Sequence, residues 1–333
     1  MTILITGSQG FIGSYICAEL LDHGYNIIGI DNYSKYGPVV RSHDTHSNFT
    51  LLLGDVIDVF KYDTKQKFYD VSYIINLAAM IGGISYFHKY AYDLLATNER
   101  ITAATFDKAL ELFNMGVLER IINISSSMVF ESTTIFPTPE EEVKKCPAPL
   151  STYGFQKLST EYFCKGAYEQ YGLPYTILRP FNCVGVGEEE SLTHETHGNT
   201  KMLMSHVLPD LVHRTLNLKP TDKLSILGDG DQVRHYTNGK DLARGIRLAM
   251  ESRAAINEDF NISHPDPVSV KELATIVWEK IHGTKLNFIH LDPYEYDVQY
   301  RSPDITKAEK LLNFKTEISV EQSIDEVIKW MKK

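Results

Sequence analysis

The sequence predicts an α/β protein: a doubly wound parallel sheet with helices on both faces, followed by a smaller C-terminal α/β lobe. Three observations carry this reading. A strand, glycine turn, helix and second strand fill residues 1–31; short apolar runs alternate with helical stretches to about residue 180; shorter strands and helices follow.

Thr2–Thr6 (TILIT) is a β-branched apolar run of the kind buried on both faces. It enters Gly7-Ser-Gln-Gly10-Phe11-Ile12-Gly13, after which Ile16, Ala18, Leu20 and Leu21 predict a helix over 14–23, closed by Gly24. Asn26–Ile30 is a second buried strand ending in Asp31. In such a unit Gly7 permits the tight turn, Gly10 lets a pyrophosphate approach the backbone, and Gly13 lets helix pack on strand, with the helix N-terminus facing the phosphates. A structural turn alone needs no acidic residue, yet Asp31 stands eighteen positions past Gly13. Dinucleotide binding is therefore expected. Asp31 would accept both ribose hydroxyls and oppose a 2′-phosphate, which favours NAD over NADP. Phe11, Ile12 and Asn32 are assigned to the same cofactor surface.

The polar stretch 32–48 is long for a connection and reads equally as a flap near the cofactor or a surface loop. Phe49–Leu53 is the third strand, and Asp55 and Val56 follow where an adenine would lie. Tyr73–Ala79 is the fourth, its small Ala78 and Ala79 leaving space for the cofactor. A helix over 93–115 carries Asn98, and Arg120–Ser125 is the fifth strand. The strand–helix order continues without a break, so a parallel sheet covered on both faces is expected, with chemistry at the carboxyl ends of its strands. Beyond residue 180, strands over 224–227, 259–263 and 286–289 alternate with helices over 201–218, 239–252, 269–281 and 320–331. The expected division is a cofactor domain over 1–180 and a substrate lobe over 181–333, with some chain crossing back.

With 333 residues and 43% hydrophobic content, the chain can fill a large core or two smaller ones. A net charge of −10 provides no basic field for nucleic acid. The first residues lack a signal pattern and no apolar run reaches membrane-spanning length, so no membrane partner and a cytoplasmic location are expected. Cys17, Cys146, Cys164 and Cys183 have no metal-ligand spacing and read as free, largely buried thiols.

A second constellation is Ser151-Thr-Tyr153-Gly-Phe-Gln-Lys157. Tyr153 and Lys157, four apart, share one helix face, so the ammonium is expected to lower the phenol's pKa and to hydrogen-bond a ribose. Such a pair is often mere surface. Here Ser126, at the end of the preceding strand, would share a sugar hydroxyl with Tyr153 and complete an acid/base site for alcohol oxidation.

Together these residues resemble an extended short-chain dehydrogenase/reductase of the nucleotide-sugar epimerase and dehydratase type, over nearly the whole chain. Gly7, Gly10, Gly13, Asp31, Asp55, Asn98, Ser126, Tyr153 and Lys157 carry the likeness. It implies a Rossmann-type fold, NAD as cofactor and a nucleotide-diphosphate sugar, a UDP-sugar first, as substrate. Arg179-Pro180-Phe181-Asn182 is similar to the segment after the family's sixth strand, which implies Pro180 beside the nicotinamide and Asn182 on the sugar diphosphate. Gly228–Arg234 resembles the diphosphate loop, with Arg234 as anion ligand, and Arg301 matches a second one; two such arginines can clamp a pyrophosphate. In similar proteins the helices over 93–115 and 152–171 form a two-fold contact, which implies a homodimer.

Two departures matter. His235 stands where the family usually has Asp, and the stretch 188–206 is rich in Glu and His. His194 and His197 would share a helix face, but no third ligand is placed, so no metal site is assigned and a substrate lid is expected. Ser127 and Met128 line the expected sugar site, and Met128 stands where dehydratases and decarboxylases of this type place an acid and 3,5-epimerases a Cys. Methionine exchanges no proton at useful pKa, so chemistry is expected to stay at C4. The expected activity is NAD-dependent 4-epimerisation through a transient 4-keto sugar. A 4-ketoreductase or dehydrogenase is the alternative with the same site, and a non-catalytic NAD-binding regulator is the alternative of a different class.

Overall fold

Alternate side chains of the first strand feed two different cores, and this sets the layering of the molecule. The computed structural model describes the chain except residues 64–66, 83–88, 189–191, 196–197, 202–205 and 293–297, with backbone only for 192–195 and 198–201. Strands β1 (Thr2–Thr6), β2 (Asn26–Asp31), β3 (Phe49–Leu53), β4 (Val71–Asn76), β5 (Arg120–Ile124), β6 (Tyr175–Pro180) and β7 (Glu258–Ile262) form one sheet in the order β7-β6-β5-β4-β1-β2-β3. Every pairing in it is parallel. The described helices are α1 (Phe11–Asp22), α2 (Val56–Lys61), α3 (Ala91–Asn114), α4 (Thr152–Tyr171), α5 (Val207–Leu216), α6 (Gly239–Glu251), α7 (Val270–His282), α8 (Thr306–Leu312) and α9 (Val320–Met331).

Ile3 and Ile5 of β1 point into a core shared with Ile16 and Leu20 of α1 and Leu242 and Ile246 of α6. Leu4 points the other way, into a core with Phe60 of α2, Phe106 of α3 and Cys164 of α4. A strand buried on both faces has no polar side to alternate, which is why TILIT is apolar throughout. The chain runs from β1 through β2 to β3 in one direction, then returns to β4 and proceeds outward the other way. The reversal lies between β1 and β4, and a parallel sheet opens a crevice there beyond its carboxyl ends.

A third apolar core gathers Leu208 and Leu211 of α5, Leu273 and Trp278 of α7, and Ile324 and Val327 of α9. Strand β7 nevertheless returns to the edge of the main sheet, and α6 packs on α1. Cys17, Cys164 and Cys183 are buried, Cys146 is half-buried, and all four are free thiols. No helix among the described residues is long and apolar enough to cross a membrane.

Several boundaries differ from the sequence reading. Helix α1 starts at Phe11 rather than residue 14, because Gly10 already holds extended backbone as its N-cap and Phe11 is buried beneath it. The strand–helix alternation is interrupted, since β2 and β3 pair in parallel with no helix between them. The connecting loop is held by its own polar side chains: the Asp44 carboxylate accepts from the Arg41 N–H (2.7 Å) and from Gln9 Nε2 (2.8 Å). The helix expected from residue 201 begins at Val207. Pro209 fits only the first turn of a helix, and Lys201 instead ends the second strand of an antiparallel hairpin, Leu192–Glu195 with Gly198–Lys201. His194 therefore lies on a strand, without the helical face required for pairing with residue 197, which is outside the described residues.

Candidate active site

At the crevice, the chain from β1 turns tightly. Gly7 holds φ +79°, and a Cβ on Gly13 would lie 2.1 Å from the Gly7 carbonyl oxygen, so helix and turn approach too closely for any side chain. The Asp31 carboxylate closes the turn, accepting from the Gln9 N–H at 2.9 Å and the Tyr33 N–H at 2.8 Å. Burial pushes the Asp31 carboxyl up; these amides and the Arg41 cation oppose that. The result is a cradle of bare backbone with a carboxylate at its far lip. Its bare backbone and carboxylate fit a dinucleotide.

This cradle opens into one cavity of about 1760 Å³. A single small-molecule site usually occupies roughly 300–1,000 Å³, so the space suits two ligands in one chamber. Gly7, Gly10, Phe11, Ile12, Gly13, Asp31, Asn32, Asp55, Val56, Ala78 and Ala79 line one end. Ser126, Ser127, Met128, Tyr153, Lys157, Pro180 and Asn182 line the middle, and Arg234 and Arg301 the wall beyond.

Helix α4 is stitched to β5 by three successive bonds, and these place Tyr153 opposite Ser126. Lys157 Nζ donates to the Ile124 carbonyl (3.0 Å), Asn123 Nδ2 to Thr160 Oγ1 (2.9 Å), and Ser125 Oγ to Glu161 Oε1 (2.7 Å). Glu161 is itself fixed by a fully buried Arg179, whose Nε and Nη2 each lie 2.8 Å from its carboxylate oxygens. Ser151 caps the start of α4 by accepting the Gly154 N–H at 3.0 Å. Tyr153 and Ser126 are hydrogen-bonded, and both are buried. Met128 packs in a cluster with Leu94 and Tyr153, with Met80, Ile81 and Tyr90 against it, so the side chain at position 128 itself offers the phenol no acid or base.

The electrostatics differ from expectation at one point. Burial raises the Tyr153 pKa, and the groups that oppose this are Ser126, through its hydrogen bond, and the Arg301 cation. Lys157 is turned to the Ile124 carbonyl instead, and burial lowers its own pKa to about 8. Lys157 is not among the groups that hold the phenol down; its ammonium is directed to the Ile124 carbonyl.

Asn98 and Asp55 hold backbone groups as well as, or instead of, facing the cavity. Asn98 does not line the cavity: its Oδ1 accepts the Met80 N–H at 2.6 Å and its Nδ2 donates to the Met80 carbonyl at 3.0 Å, so it holds the backbone of a lining residue. Asp55 lines the cavity but also caps α2, accepting the Ile57 N–H at 2.9 Å. Asn182, at φ +35°, lines the wall and donates to the His235 carbonyl at 3.2 Å.

The sequence reading missed part of the lining. Tyr33, Ser34, Lys35 and Tyr36 of the β2–β3 loop line the cavity, which favours the flap near the cofactor over a plain surface loop. Arg41 ties it down, donating from Nε to the Gln9 carbonyl (3.1 Å) and from Nη1 to the Gly187 carbonyl (3.0 Å). Tyr236 lines the far wall with a buried hydroxyl that has no hydrogen-bond partner among the described residues. Its place directly after Arg234-His235 was the available signal.

Known proteins match this geometry over the full chain. The UDP-glucose 4-epimerase of Thermotoga maritima, solved with UDP-glucose, is 27% identical with a TM-score of 0.81, covering 100% of this chain and 99% of that one. The UDP-glucuronic acid 4-epimerase of Bacillus cereus, solved with UDP-glucuronic acid and NAD, is 26% identical with a TM-score of 0.80 over the same shares. The UDP-N-acetyl-alpha-D-glucosaminuronate decarboxylase of Bacillus cytotoxicus is 26% identical over 338 residues, covering 99% of this chain and 97% of that relative. A family model described as the NAD dependent epimerase/dehydratase family matches residues 3–263. The glycine cradle, the Ser126–Tyr153 pair and this match over most of its length establish that the chain belongs to the NAD dependent epimerase/dehydratase family.

Proposed function

We propose that this protein is an NAD-dependent nucleotide-sugar 4-epimerase acting on a UDP-sugar. The observation that carries the choice within the family is Met128 packed against Tyr153. Relatives at nearly equal identity include both 4-epimerases and a decarboxylase, so overall likeness does not choose between outcomes. Position 128 favours 4-epimerisation, because relatives of the dehydratase and decarboxylase type place an acid there for elimination or chemistry at C5 and methionine is neither acid nor base.

The glycine turn, Asp31, Asn32, Asp55 and Val56 would hold the cofactor's adenosine and pyrophosphate, and Ala78, Ala79, Lys157 and Pro180 its nicotinamide riboside. Bound NAD supplies the hydride acceptor and donor at the sugar's C4. Tyr153 then has the proton work: as phenolate it takes the proton of the C4 hydroxyl, while Ser126 donates to the same oxygen and fixes its position. Arg301, already opposing the rise of the phenol's pKa, helps Tyr153 reach that state. Asn182, Arg234 and Arg301 would hold the diphosphate as the sugar turns to present its other face. Tyr153 finally returns its proton to the C4 oxygen, so the cycle is neutral in protons.

Exposed aromatic residues on α3 and α4, with Tyr92 75%, Tyr162 66% and Phe155 49% exposed, support a homodimer through this helix pair. Incubation with UDP-glucose, UDP-N-acetylglucosamine and UDP-glucuronic acid, without added cofactor, tests the activity by proton NMR. A C4 epimer should form from at least one. Stoichiometric release of NADH with an oxidised sugar would instead indicate a dehydrogenase.

A further inference from the structure

The two arginines on the far wall arrive on separate segments, yet the residues that follow them are bonded to each other. His235 Nε2 lies 3.0 Å from Ser302 Oγ, and both side chains are buried. His235 Nδ1 lies 2.9 Å from the His264 carbonyl, which only accepts, so Nδ1 carries the hydrogen. Nε2 is therefore a bare acceptor and the Ser302 hydroxyl donates to it. Burial lowers the His235 pKa, against the hydrogen bond to the His264 carbonyl and the Asp266 charge and together with the His264 ring, which keeps that acceptor available near neutral pH.

Backbone contacts bring the same two segments together. The Val233 N–H donates to the Gln299 carbonyl at 2.9 Å and the Arg301 N–H to the Val233 carbonyl at 3.2 Å. Both guanidinium groups act on one point, since Arg234 and Arg301 each oppose the rise of the Tyr236 pKa that burial causes. Val233 and its neighbours fix the spacing of the segments. The side-chain bond between His235 and Ser302 ties the two segments together one residue beyond each arginine.

We propose that His235 is a positioning residue for substrate affinity: through its bond to Ser302 it holds Arg234 and Arg301 at the separation that receives the two phosphates of a nucleoside diphosphate. The inference rests on the nucleotide-sugar reading above. It assigns His235 no contact with the sugar and no part in proton transfer.

The test uses the NAD-containing enzyme and three substitutions. His235→Asn keeps a donor toward the His264 carbonyl but is too short to reach Ser302, Ser302→Ala removes the donor, and Ser302→Thr keeps a hydroxyl. The first two should each raise KM for the nucleotide sugar about ten-fold, the loss of one buried hydrogen bond, with a smaller fall in kcat because Arg301 also acts on Tyr153, and NAD content unchanged. Calorimetry should show UDP weakened by the same factor and uridine unaffected, and Ser302→Thr should restore wild-type binding. The double variant should be no worse than either single one, because both remove the same bond. Equal loss of UDP and uridine affinity, an additive double variant, or unchanged KM would overturn the proposal while leaving epimerisation intact. A wild-type enzyme that binds UDP no better than uridine would overturn the diphosphate assignment itself, and the proposal with it.

Discussion

Lys157 donates its ammonium hydrogen bond to the carbonyl of Ile124, at 3.0 Å, inside a chamber that buries them both. Burial alone lowers its pKa from 10.5 to about 8. Below pH 8 the folded chain must keep a desolvated ammonium, whereas between pH 8 and 10.5 the unfolded chain still binds a proton the folded one has released. Stability of the cofactor-stripped protein should therefore rise across that window. Lys157→Met should abolish the rise and stabilise the stripped protein at pH 7 by up to roughly 3 kcal/mol, while weakening NAD binding. Urea unfolding at pH 7 and pH 10 checks this, and a less stable Lys157→Met protein at pH 7 would contradict it.

The acid limb has a different source. Burial would raise the carboxyl of Asp259, but the Arg179 and Lys307 cations outweigh it and hold it at about 2. Its contribution is present above the unfolded value near 3.8 and is lost as pH falls through about 2. Asp259→Asn should cost about 2 kcal/mol at pH 7, and the gap from wild type should close towards pH 2. Denaturant midpoints measured across that range decide it.

Tyr153 carries the proton in the proposed cycle. Tyr153→Phe should lower kcat by roughly two to four orders of magnitude, the usual worth of a general acid/base, with NAD content unchanged. Retained turnover in a fully folded, NAD-loaded variant would remove Tyr153 from the chemistry.

Arg41 spans from the glycine turn to Gly187 and holds the β2–β3 loop over the cofactor end of the cavity. Arg41→Ala should speed NAD dissociation by about ten-fold, because two hydrogen bonds to buried carbonyls are lost without a catalytic group being touched. Cofactor fluorescence or retained NAD after dialysis measures it.

What the sequence revealed was local. TILIT, the glycine turn and Asp31 are adjacent in the chain, and each has a conformational reason to be what it is, so β1, α1, β2 and the turn between them were legible. Tyr153, Lys157 and Ser126 were legible because helix spacing and a strand end fix their directions. Arg41 and Tyr36 were not, since a loop without periodicity gains its directions only from the tertiary contacts to Gln9 and Gly187. The bonding of Asn98 was not legible for the same reason: its position on α3 was, but only packing reveals that Met80 takes both ends of its amide. His235 stood out as an unusual residue, and its meaning required Ser302, 67 positions away.

On the proposed reading, Met128 confines the reaction to C4. Turnover of the accepted UDP-sugar in deuterated water, followed by proton NMR, tests it most directly. A hydride passed within the chamber never exchanges with solvent, so a C4 epimer with full proton intensity at C3, C4 and C5 is expected. Deuterium at C5, or loss of the group at C6, would contradict it and require a base outside Ser126 and Tyr153.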